Sequence, residues 1–286
     1  MSSAVTGTDS AELDRKIDAL RSDLRALGSA LVCYSGGVDS AYLLAEAVEV
    51  LGPKAVAFTA ISASLADDEN VAAAELAQRL GAKHLQIKTK ELEDPEYAAN
   101  PVDRCYFCKR EVYSTALDLA EREGTPHVID GLNRDDRGDR RPGRKAAKER
   151  GVKSPLDDHG FSKQDVRDAA RRIDLQVWDK PAQACLSSRI PYGTAVTRER
   201  LQQIAACEHH LRALGFGQCR VRYHGDVARI EVMPEEIPRL IADDVRLEVE
   251  RLCRQEGFSF VTVDLAGYRI GSLNEAVGGA RRLPVV

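Results

Sequence analysis

An apolar strand, a glycine-rich loop and an apolar helix follow one another directly near the start of the chain. Residues 30–34 have the length and composition of a short buried strand, and the apolar pattern of residues 41–50 predicts a helix. The loop between them consists of Ser35, Gly36, Gly37, Val38, Asp39 and Ser40. This succession is typical of α/β proteins, in which each strand is followed by a helix that packs back onto the sheet.

The same alternation continues for another hundred residues. Further strands are predicted at 55–59, 84–87 and 127–129, with helices over 11–27, over 67–80 and after Cys108. Strands and helices alternating at this pitch predict a parallel sheet covered by helices on both faces. Ligands of such sheets bind beyond the carboxyl ends of the strands, where the glycine-rich loop lies.

The pattern changes after about residue 194. A long helix over 197–214 precedes two alternating runs joined by Gly225 and Asp226, which predict an antiparallel hairpin. Helical stretches over 234–255 and an apolar run at 258–264 follow. We therefore predict an α/β domain over residues 1–193 and a smaller α+β domain over 194–286.

Composition limits the class of protein. The 286 residues are 43% hydrophobic and 30% charged with a net charge of −4, which suits globular domains and offers no basic field for nucleic acid. No apolar run approaches the roughly 18 residues of a membrane span, and residues 1–10 lack an apolar export segment. Seven cysteines, an odd number, favour reduced thiols over a disulfide framework. We expect a cytoplasmic protein.

The glycine-rich loop has the chemistry of a phosphate site. Its glycines let the backbone approach an anion, and the amides at the following helix start favour negative charge. Ser35 and Ser40 can donate hydroxyl hydrogen bonds, whereas Asp39 would repel phosphate unless Mg²⁺ lay between them. The combination fits ATP with pyrophosphate as the leaving group. The chain lacks the Gly-x-x-x-x-Gly-Lys-[Ser/Thr] loop of enzymes that cleave the γ-phosphate. An ordinary glycine turn is the structural alternative.

Two other strand ends are expected to complete the nucleotide pocket. Gly131 and Asn133 follow the fourth strand, and Ala60 and Ser62 follow the second, where backbone groups could hold the adenine. Turn chemistry explains Gly131 and Asn133 comparably well.

Cys185 is the candidate nucleophile. It lies in a non-periodic segment with Lys180 and Arg189 nearby in sequence, and cationic neighbours favour the thiolate. A thiolate beside an acyl-adenylate would displace AMP and form a thioester. An inert buried thiol is the alternative.

Cys105 and Cys108 form a lone Cys-x-x-Cys pair. Together with Cys185 they could give three thiolates to a [4Fe–4S] cluster, leaving one iron open to bind sulfide. The alternative is that neither thiol binds metal. Four further cysteines are interpreted as small apolar residues: Cys33, Cys207, Cys219 and Cys253.

A basic segment interrupts the α/β pattern between residues 134 and 160. It is either a solvated loop with one short helix or a lid that closes over a polyanionic substrate. Its cations are Arg137, Arg140, Arg141, Arg144, Lys145, Lys148 and Arg150.

These motifs resemble known proteins. The loop at residues 35–40 resembles that of the N-type ATP pyrophosphatases, which share the PP-loop, adenine nucleotide alpha hydrolase-like fold. The motifs in order resemble the LarE family, ATP-dependent pyridinium-3,5-biscarboxylic acid mononucleotide sulfurtransferases. The likeness runs from about Leu13 to Gly278, and its segments are 35–40, 100–101, 104–109, 131–133, 135–136, 141–143, 154–156, 180–193, 220–222, 229–232 and 264–274.

The resemblance implies a reaction. ATP adenylates a carboxylate of the mononucleotide with release of pyrophosphate, and sulfur is then installed on the route to the nickel-pincer nucleotide of lactate racemase. In the family's sacrificial version, the cysteine matching Cys185 attacks and loses its sulfur. Members with an additional Cys-x-x-Cys resemble cluster-containing enzymes, so Cys105 and Cys108 leave the sulfur source open.

The resemblance also implies further sites. Arg220 and Arg222 match residues of a substrate-phosphate site, and Glu231 matches an acidic residue associated with metal. The resemblance predicts homo-oligomers, with hexamers known in the family, and assigns the C-terminal domain to substrate binding and oligomerisation.

Two other functions compete. A tRNA thiolase of the same superfamily would need basic and aromatic residues interleaved on one surface, and the chain has only 5% aromatic residues. A non-catalytic ATP-binding regulator would need neither Asp39 nor a loop thiol at Cys185.

Overall fold

The computed structural model describes residues 10–65, 67–137, 142–181 and 184–269. The described chain divides into two compact units. Residues 10–94 and 103–181 form the N-terminal unit, and residues 95–102 and 184–269 form the C-terminal unit. The second unit thus begins before residue 194, where the sequence changes its pattern, and includes a short earlier segment.

The described residues form seven strands and eleven α-helices, together with short 3-10 helices. The strands are β1 (Ala30–Cys33), β2 (Ala55–Ile61), β3 (Lys83–Lys88), β4 (Val128–Asp130), β5 (Cys219–His224), β6 (Val227–Val232) and β7 (Phe260–Val263). The helices are α1 (Ser10–Leu27), α2 (Val38–Leu51), α3 (Asp67–Arg79), α4 (Pro95–Ala98), α5 (Arg104–Arg122), α6 (Pro142–Glu149), α7 (Pro155–Asp158), α8 (Lys163–Arg172), α9 (Arg198–Ala213), α10 (Ile237–Leu240) and α11 (Asp243–Gln255).

The N-terminal unit is built on a four-stranded parallel sheet in the order β3-β2-β1-β4. Successive residues of the central strand β1 face opposite sides, as a strand requires. Ala30 and Val32 join the apolar cluster that contains residues of α1, α2 and α8, whereas Leu31 joins the cluster that contains residues of α5 and α6. The sheet is therefore covered on both faces, which confirms the predicted α/β fold.

The C-terminal unit contains a three-stranded mixed sheet in the order β5-β6-β7. Strands β5 and β6 form the predicted hairpin, and Gly225 in its turn has a φ of +66° that suits glycine. Strand β7 pairs parallel with β6. Apolar residues of this sheet pack with residues of α9 and α11, so the unit has its own core.

Asn100 explains why residues 95–102 belong to the C-terminal unit. This buried residue has a φ of +56°, and its Nδ2 donates to the carbonyls of Pro191 at 2.8 Å and Thr194 at 2.9 Å. Its own carbonyl accepts from the amide of Gly193 at 2.9 Å. One asparagine thus ties the segment to residues about ninety positions later in the chain.

The start of α5 differs from the sequence prediction. The helix was predicted to follow Cys108, but it begins at Arg104 and includes both cysteines. Several positions considered above lie outside the described residues, namely Arg140, Arg141, residues 182–183 and residues 270–278. Among the helices that the structure describes, none is long and apolar enough to cross a bilayer.

Candidate functional site

The glycine-rich loop lies at the carboxyl end of β1 and leads directly into α2. Gly36 has a φ of +76°, and a Cβ there would lie 2.9 Å from the Cβ of Ala73 on α3. Both the backbone conformation and the close packing against α3 therefore require glycine. This arrangement brings bare backbone to the sheet edge where ligands of parallel sheets bind.

The two loop serines hold the loop in shape. The hydroxyl of Ser40 donates to the carbonyl of Gly37 at 3.1 Å and accepts from the amide of Ser35 at 3.1 Å. Because that hydroxyl proton is used, the 3.1 Å contact between the two hydroxyl oxygens must be a bond donated by Ser35. Gly37 caps α2 without a side chain, so no N-cap side chain covers the first-turn amides. The loop therefore fits the phosphates of a nucleotide.

Gly131 follows β4 and packs against the start of α2. A Cβ at this position would lie 2.7 Å from the backbone nitrogen of Ser40, a separation that no real Cβ tolerates. Buried Asp130, immediately before it, accepts hydrogen bonds from the hydroxyls of Tyr113 at 2.6 Å and Ser154 at 2.7 Å. These bonds fix the end of β4, and Gly131 allows it to touch the loop.

Asp39 is held by two side chains from elsewhere in the N-terminal unit. Asn133 donates from Nδ2 to Oδ1 of Asp39 at 3.1 Å, and Lys163 forms an ion pair with Oδ2. The predicted residues Asn133 and Asp39 are thus brought together. Sequence reasoning missed Lys163; its one signal was a lysine in the first turn of a helix, where acidic residues are favoured.

Ala60 and Ser62 lie at the carboxyl end of β2, on the same sheet edge as the loop. The hydroxyl of Ser62 donates to the buried carboxylate of Glu91 and lies 2.6 Å from the hydroxyl of Ser64. Glu91 also accepts from the hydroxyl of Thr89. Ser62 therefore belongs to a buried polar cluster, and its side chain is engaged within the protein.

Cys105 and Cys108 lie within the first five residues of α5, where a spacing of three places both on one helix face. Cys105 is exposed and Cys108 is partly exposed, and neither is in a disulfide. Thiols of this spacing and exposure suit iron by donor type. Among the described residues, no group of three or more His, Cys, Asp or Glu side chains is arranged to hold a metal ion.

The described part of the basic segment is held by ion pairs and ring contacts. Arg137 and Arg144 both bind the carboxylate of Asp157, and Arg144 does so at 2.7 Å. Arg150 donates to the hydroxyl of Ser114 at 2.9 Å. Lys145 lies over the ring of Tyr106, 5.3 Å from its centroid. A lid function for this segment stays a hypothesis.

Cys185 belongs to the C-terminal unit and is exposed. It immediately precedes a 3-10 helix, Leu186–Arg189, and its carbonyl accepts from the amide of Ser188 at 2.9 Å and from Nη1 of Arg189 at 3.0 Å. The backbone of Cys185 is therefore fixed while its side chain reaches solvent.

Both cations expected near Cys185 have carboxylate partners. Arg189 is buried, with a side-chain exposure of 2%, and binds both oxygens of Glu208 at 2.8 and 3.0 Å. Lys180 pairs with Glu69 within the N-terminal unit at 2.5 Å. Arg189 thus positions the Cys185 backbone and is itself paired with Glu208.

Arg220, Arg222 and Glu231 lie side by side on β5 and β6. Arg222 donates to both oxygens of fully buried Glu231 at 3.0 and 2.9 Å, and its Nη1 donates to the carbonyl of Ser188 at 2.8 Å. Burial lowers the pKa of Arg220, and the positive charge of Arg189 lowers it further. An anion bound beside Arg220 would offset this repulsion, so the position suits a phosphate.

Known proteins resemble this chain over most of its length. The sequence model of the asparagine synthase family matches residues 14–113. An uncharacterised protein of Synechocystis sp. is 46% identical over 93% of this chain and 99% of its own length. An uncharacterised protein of Methanocaldococcus jannaschii is 27% identical over 84% of this chain and 90% of its own.

A third relative carries a functional name. The pyridinium-3,5-bisthiocarboxylic acid mononucleotide synthase of Lactiplantibacillus plantarum is 38% identical over 95% of this chain and 98% of its own length. An identity of this level over nearly the whole of both chains, with the loop and the parallel sheet described above, decides the family. The chain is therefore an enzyme that belongs to the family of pyridinium-3,5-bisthiocarboxylic acid mononucleotide synthases, the LarE family.

Proposed function

We propose that the enzyme uses ATP to activate a carboxylate of pyridinium-3,5-biscarboxylic acid mononucleotide and then replaces its oxygen with sulfur. The product would be the thiocarboxylate precursor of the nickel-pincer nucleotide. The observation that carries the proposal is the loop at residues 35–40, with bare backbone at the carboxyl edge of a parallel sheet. The functional name of the Lactiplantibacillus plantarum relative supports the choice of substrate.

The activation step assigns roles to residues of the N-terminal unit. Amides of Gly36, Gly37 and the first turn of α2 would bind the phosphates of ATP. Asp39 would hold Mg²⁺ between its carboxylate and the pyrophosphate. A carboxylate oxygen of the mononucleotide attacks the α-phosphorus, and pyrophosphate leaves. Ala60 and Ser62 would face the adenine, and Gly131 and Asn133 would close the pocket.

The sulfur-transfer step assigns roles to residues of the C-terminal unit. Arg220 and Arg222 would bind the phosphate of the mononucleotide through guanidinium contacts, with Glu231 orienting Arg222 or holding a metal. The thiolate of Cys185 attacks the acyl carbon, AMP leaves, and a thioester forms. Loss of the proton on the Cys185 α-carbon then expels the thiocarboxylate and leaves dehydroalanine.

A second sulfur source is consistent with the same residues. A [4Fe–4S] cluster held by Cys105, Cys108 and Cys185 would supply sulfide on its fourth iron. Cys185 would then be a ligand, and the enzyme would turn over repeatedly. A homo-oligomer and a cytoplasmic location stay predictions.

The decisive experiment supplies purified enzyme with the biscarboxylated mononucleotide, ATP and Mg²⁺. We expect pyrophosphate and AMP; formation of ADP would reject the proposal. The variant Cys185→Ala should keep pyrophosphate release and lose the thiocarboxylate, because the carboxylate is activated before sulfur is needed. Unchanged sulfur transfer in Cys185→Ala would reject the role of this residue.

Cysteine variants and intact mass separate the two sulfur sources. Cys105→Ala and Cys108→Ala should leave the sacrificial route active and abolish the cluster route. In the sacrificial route, each turnover should remove the mass of one H₂S from the protein. Cys253→Ala, which changes a buried thiol on α11, is the matched control.

A further inference from the structure

Lys163 begins helix α8 and forms an ion pair with Asp39, a residue 124 positions earlier in the chain. The side chain of Lys163 is 35% exposed and that of Asp39 is 21% exposed. The pair can therefore be reached by a solute, and it can open without unfolding either element.

A short turn after β4 holds both partners of this pair. Asn133 donates to Asp39 through Nδ2, and its Oδ1 accepts from the amide of Asp135 at 2.9 Å. The carboxylate of Asp135 in turn accepts from the backbone amide of Lys163 at 2.8 Å. The amide of Arg134 also donates to the carbonyl of Phe161 at 2.8 Å. These bonds fix the backbone position of Lys163 and the orientation of the Asp39 carboxylate.

Nothing local favours a lysine at this position. The positive end of the helix dipole disfavours a cation in the first turn. Helix α8 already has a complete capping box between Ser162 and Asp165, so Lys163 is not needed to cap it. Its evident role is the contact with Asp39.

An ammonium and a divalent cation compete for one carboxylate. Among the residues that the structure describes, Lys163 is the cation that pairs with Asp39, and Mg²⁺ arriving with ATP brings twice the charge. A displaced ammonium would lie beside the phosphates of the same nucleotide, and lysine is a common partner of phosphate oxygens.

We infer that Lys163 neutralises Asp39 in the empty enzyme and transfers its ammonium to the β- and γ-phosphates of ATP when Mg²⁺ takes its place. This inference rests on the proposed function and adds a residue to the nucleotide site. It predicts that removing the ammonium has opposite effects on free metal and on nucleotide, which a merely structural role would not produce.

The test uses the full-length enzyme and its variant Lys163→Met. The probes are Mn²⁺ alone, followed by electron paramagnetic resonance, and α,β-methylene-ATP with saturating Mg²⁺, followed by calorimetry. Mn²⁺ should bind more tightly to the variant because its competitor is gone. The ATP analogue should bind about tenfold more weakly or worse, the loss expected for one charge-assisted hydrogen bond. AMP, which lacks both outer phosphates, should bind equally to both proteins.

Two further variants serve as controls. Lys163→Arg keeps the charge and should recover most of the affinity for the analogue. Lys83→Met removes another ion-paired lysine, whose partner is Glu123 and which lies at the amino end of β3, away from the loop. This control should leave both affinities unchanged.

The outcomes separate the inference from the proposed function. Equal affinity of Lys163→Met and wild type for the analogue would overturn the inference, as would weaker binding of both Mn²⁺ and the analogue. If wild type itself fails to bind the analogue with Mg²⁺, the proposed ATP-dependent function falls instead.

Discussion

At the scale of single residues, Gly131 is tightly constrained by its approach to the end of the glycine-rich loop. Gly131→Ala would place a Cβ 2.7 Å from the nitrogen of Ser40 and 3.0 Å from the carbonyl carbon of Asp39. Backbone, unlike a flexible side chain, cannot move aside cheaply. We expect a loss of about 1–3 kcal/mol in the free energy of unfolding, the usual cost of overpacking, and weaker ATP binding.

The measurement is urea unfolding followed by the fluorescence of Trp178, the single tryptophan of the chain, which packs against the core of the N-terminal unit. Gly217→Ala is the control, since a Cβ there meets nothing within 4 Å. An unfolding midpoint for Gly131→Ala equal to that of the control would contradict the close approach.

Residue-scale predictions from sequence depended on local signals. The loop at residues 35–40 is recognisable because its glycines, serines and aspartate are contiguous. Lys163 is not, because its partner Asp39 lies 124 positions away and no local pattern encodes that pairing. The partners of Lys180 and Arg189 were not predictable for the same reason, because Glu69 and Glu208 lie 111 and 19 positions away in sequence.

At the scale of elements, a hydrogen bond between two polar side chains joins β2 to β3. The hydroxyl of buried Thr59 donates to the carbonyl of Tyr34 at 2.7 Å and lies 2.8 Å from Nε2 of His84. Its single proton is used, so Nε2 of His84 must donate to it. Burial lowers the pKa of His84 from its ordinary value of 6.5.

This pair predicts a pH dependence. Because the folded-state pKa of His84 lies below the unfolded value, the unfolded chain binds the extra proton first as pH falls. Stability from this group is complete above pH 6.5 and declines as pH drops below it. His84→Gln should flatten the fall of the Trp178 unfolding midpoint between pH 7.5 and roughly pH 5.5. At pH 8, where the imidazole is neutral in both states, the variant should show only the lost hydrogen bond. An equally steep fall in the variant would exclude His84 as the source.

Element boundaries were less predictable than element identities. The strands and most helices follow from apolar periodicity, which the buried sheet enforces. The start of α5 was placed too late: the helix was predicted to follow Cys108, whereas it begins at Arg104, and residues 104–109 contain no glycine or proline to prevent a helix.

At the scale of the whole molecule, the described chain has two units, each with its own apolar core. The predicted order of strands and helices changes near residue 194, and this change led us to predict a second domain. No local pattern assigned residues 95–102 to it. That assignment depends on Asn100, whose side chain satisfies carbonyls of residues 191 and 194. Contacts of such long sequence separation become visible only in the folded chain.

Because the C-terminal unit has its own core, its stability can be tested separately. The test residue is Glu208 on α9, which is 1% exposed and binds Arg189. Glu208→Gln would leave the buried guanidinium of Arg189 without its charge partner. We expect a loss of about 3–5 kcal/mol, the typical cost of breaking a buried ion pair from one side. Amide hydrogen exchange should show weaker protection across α9, while the urea midpoint reported by Trp178 should change far less.

Glu248→Gln is the matched control, because Glu248 pairs with Arg251 on the exposed face of α11 and water can replace that partner. It should leave exchange across α9 unchanged. Arg189 also binds the carbonyls of Ala184 and Cys185 at 2.6 and 3.0 Å, so its release in Glu208→Gln should loosen the backbone at the proposed nucleophile. Unchanged protection of α9 together with unchanged sulfur transfer would show that the Arg189–Glu208 pair neither stabilises this unit nor positions Cys185.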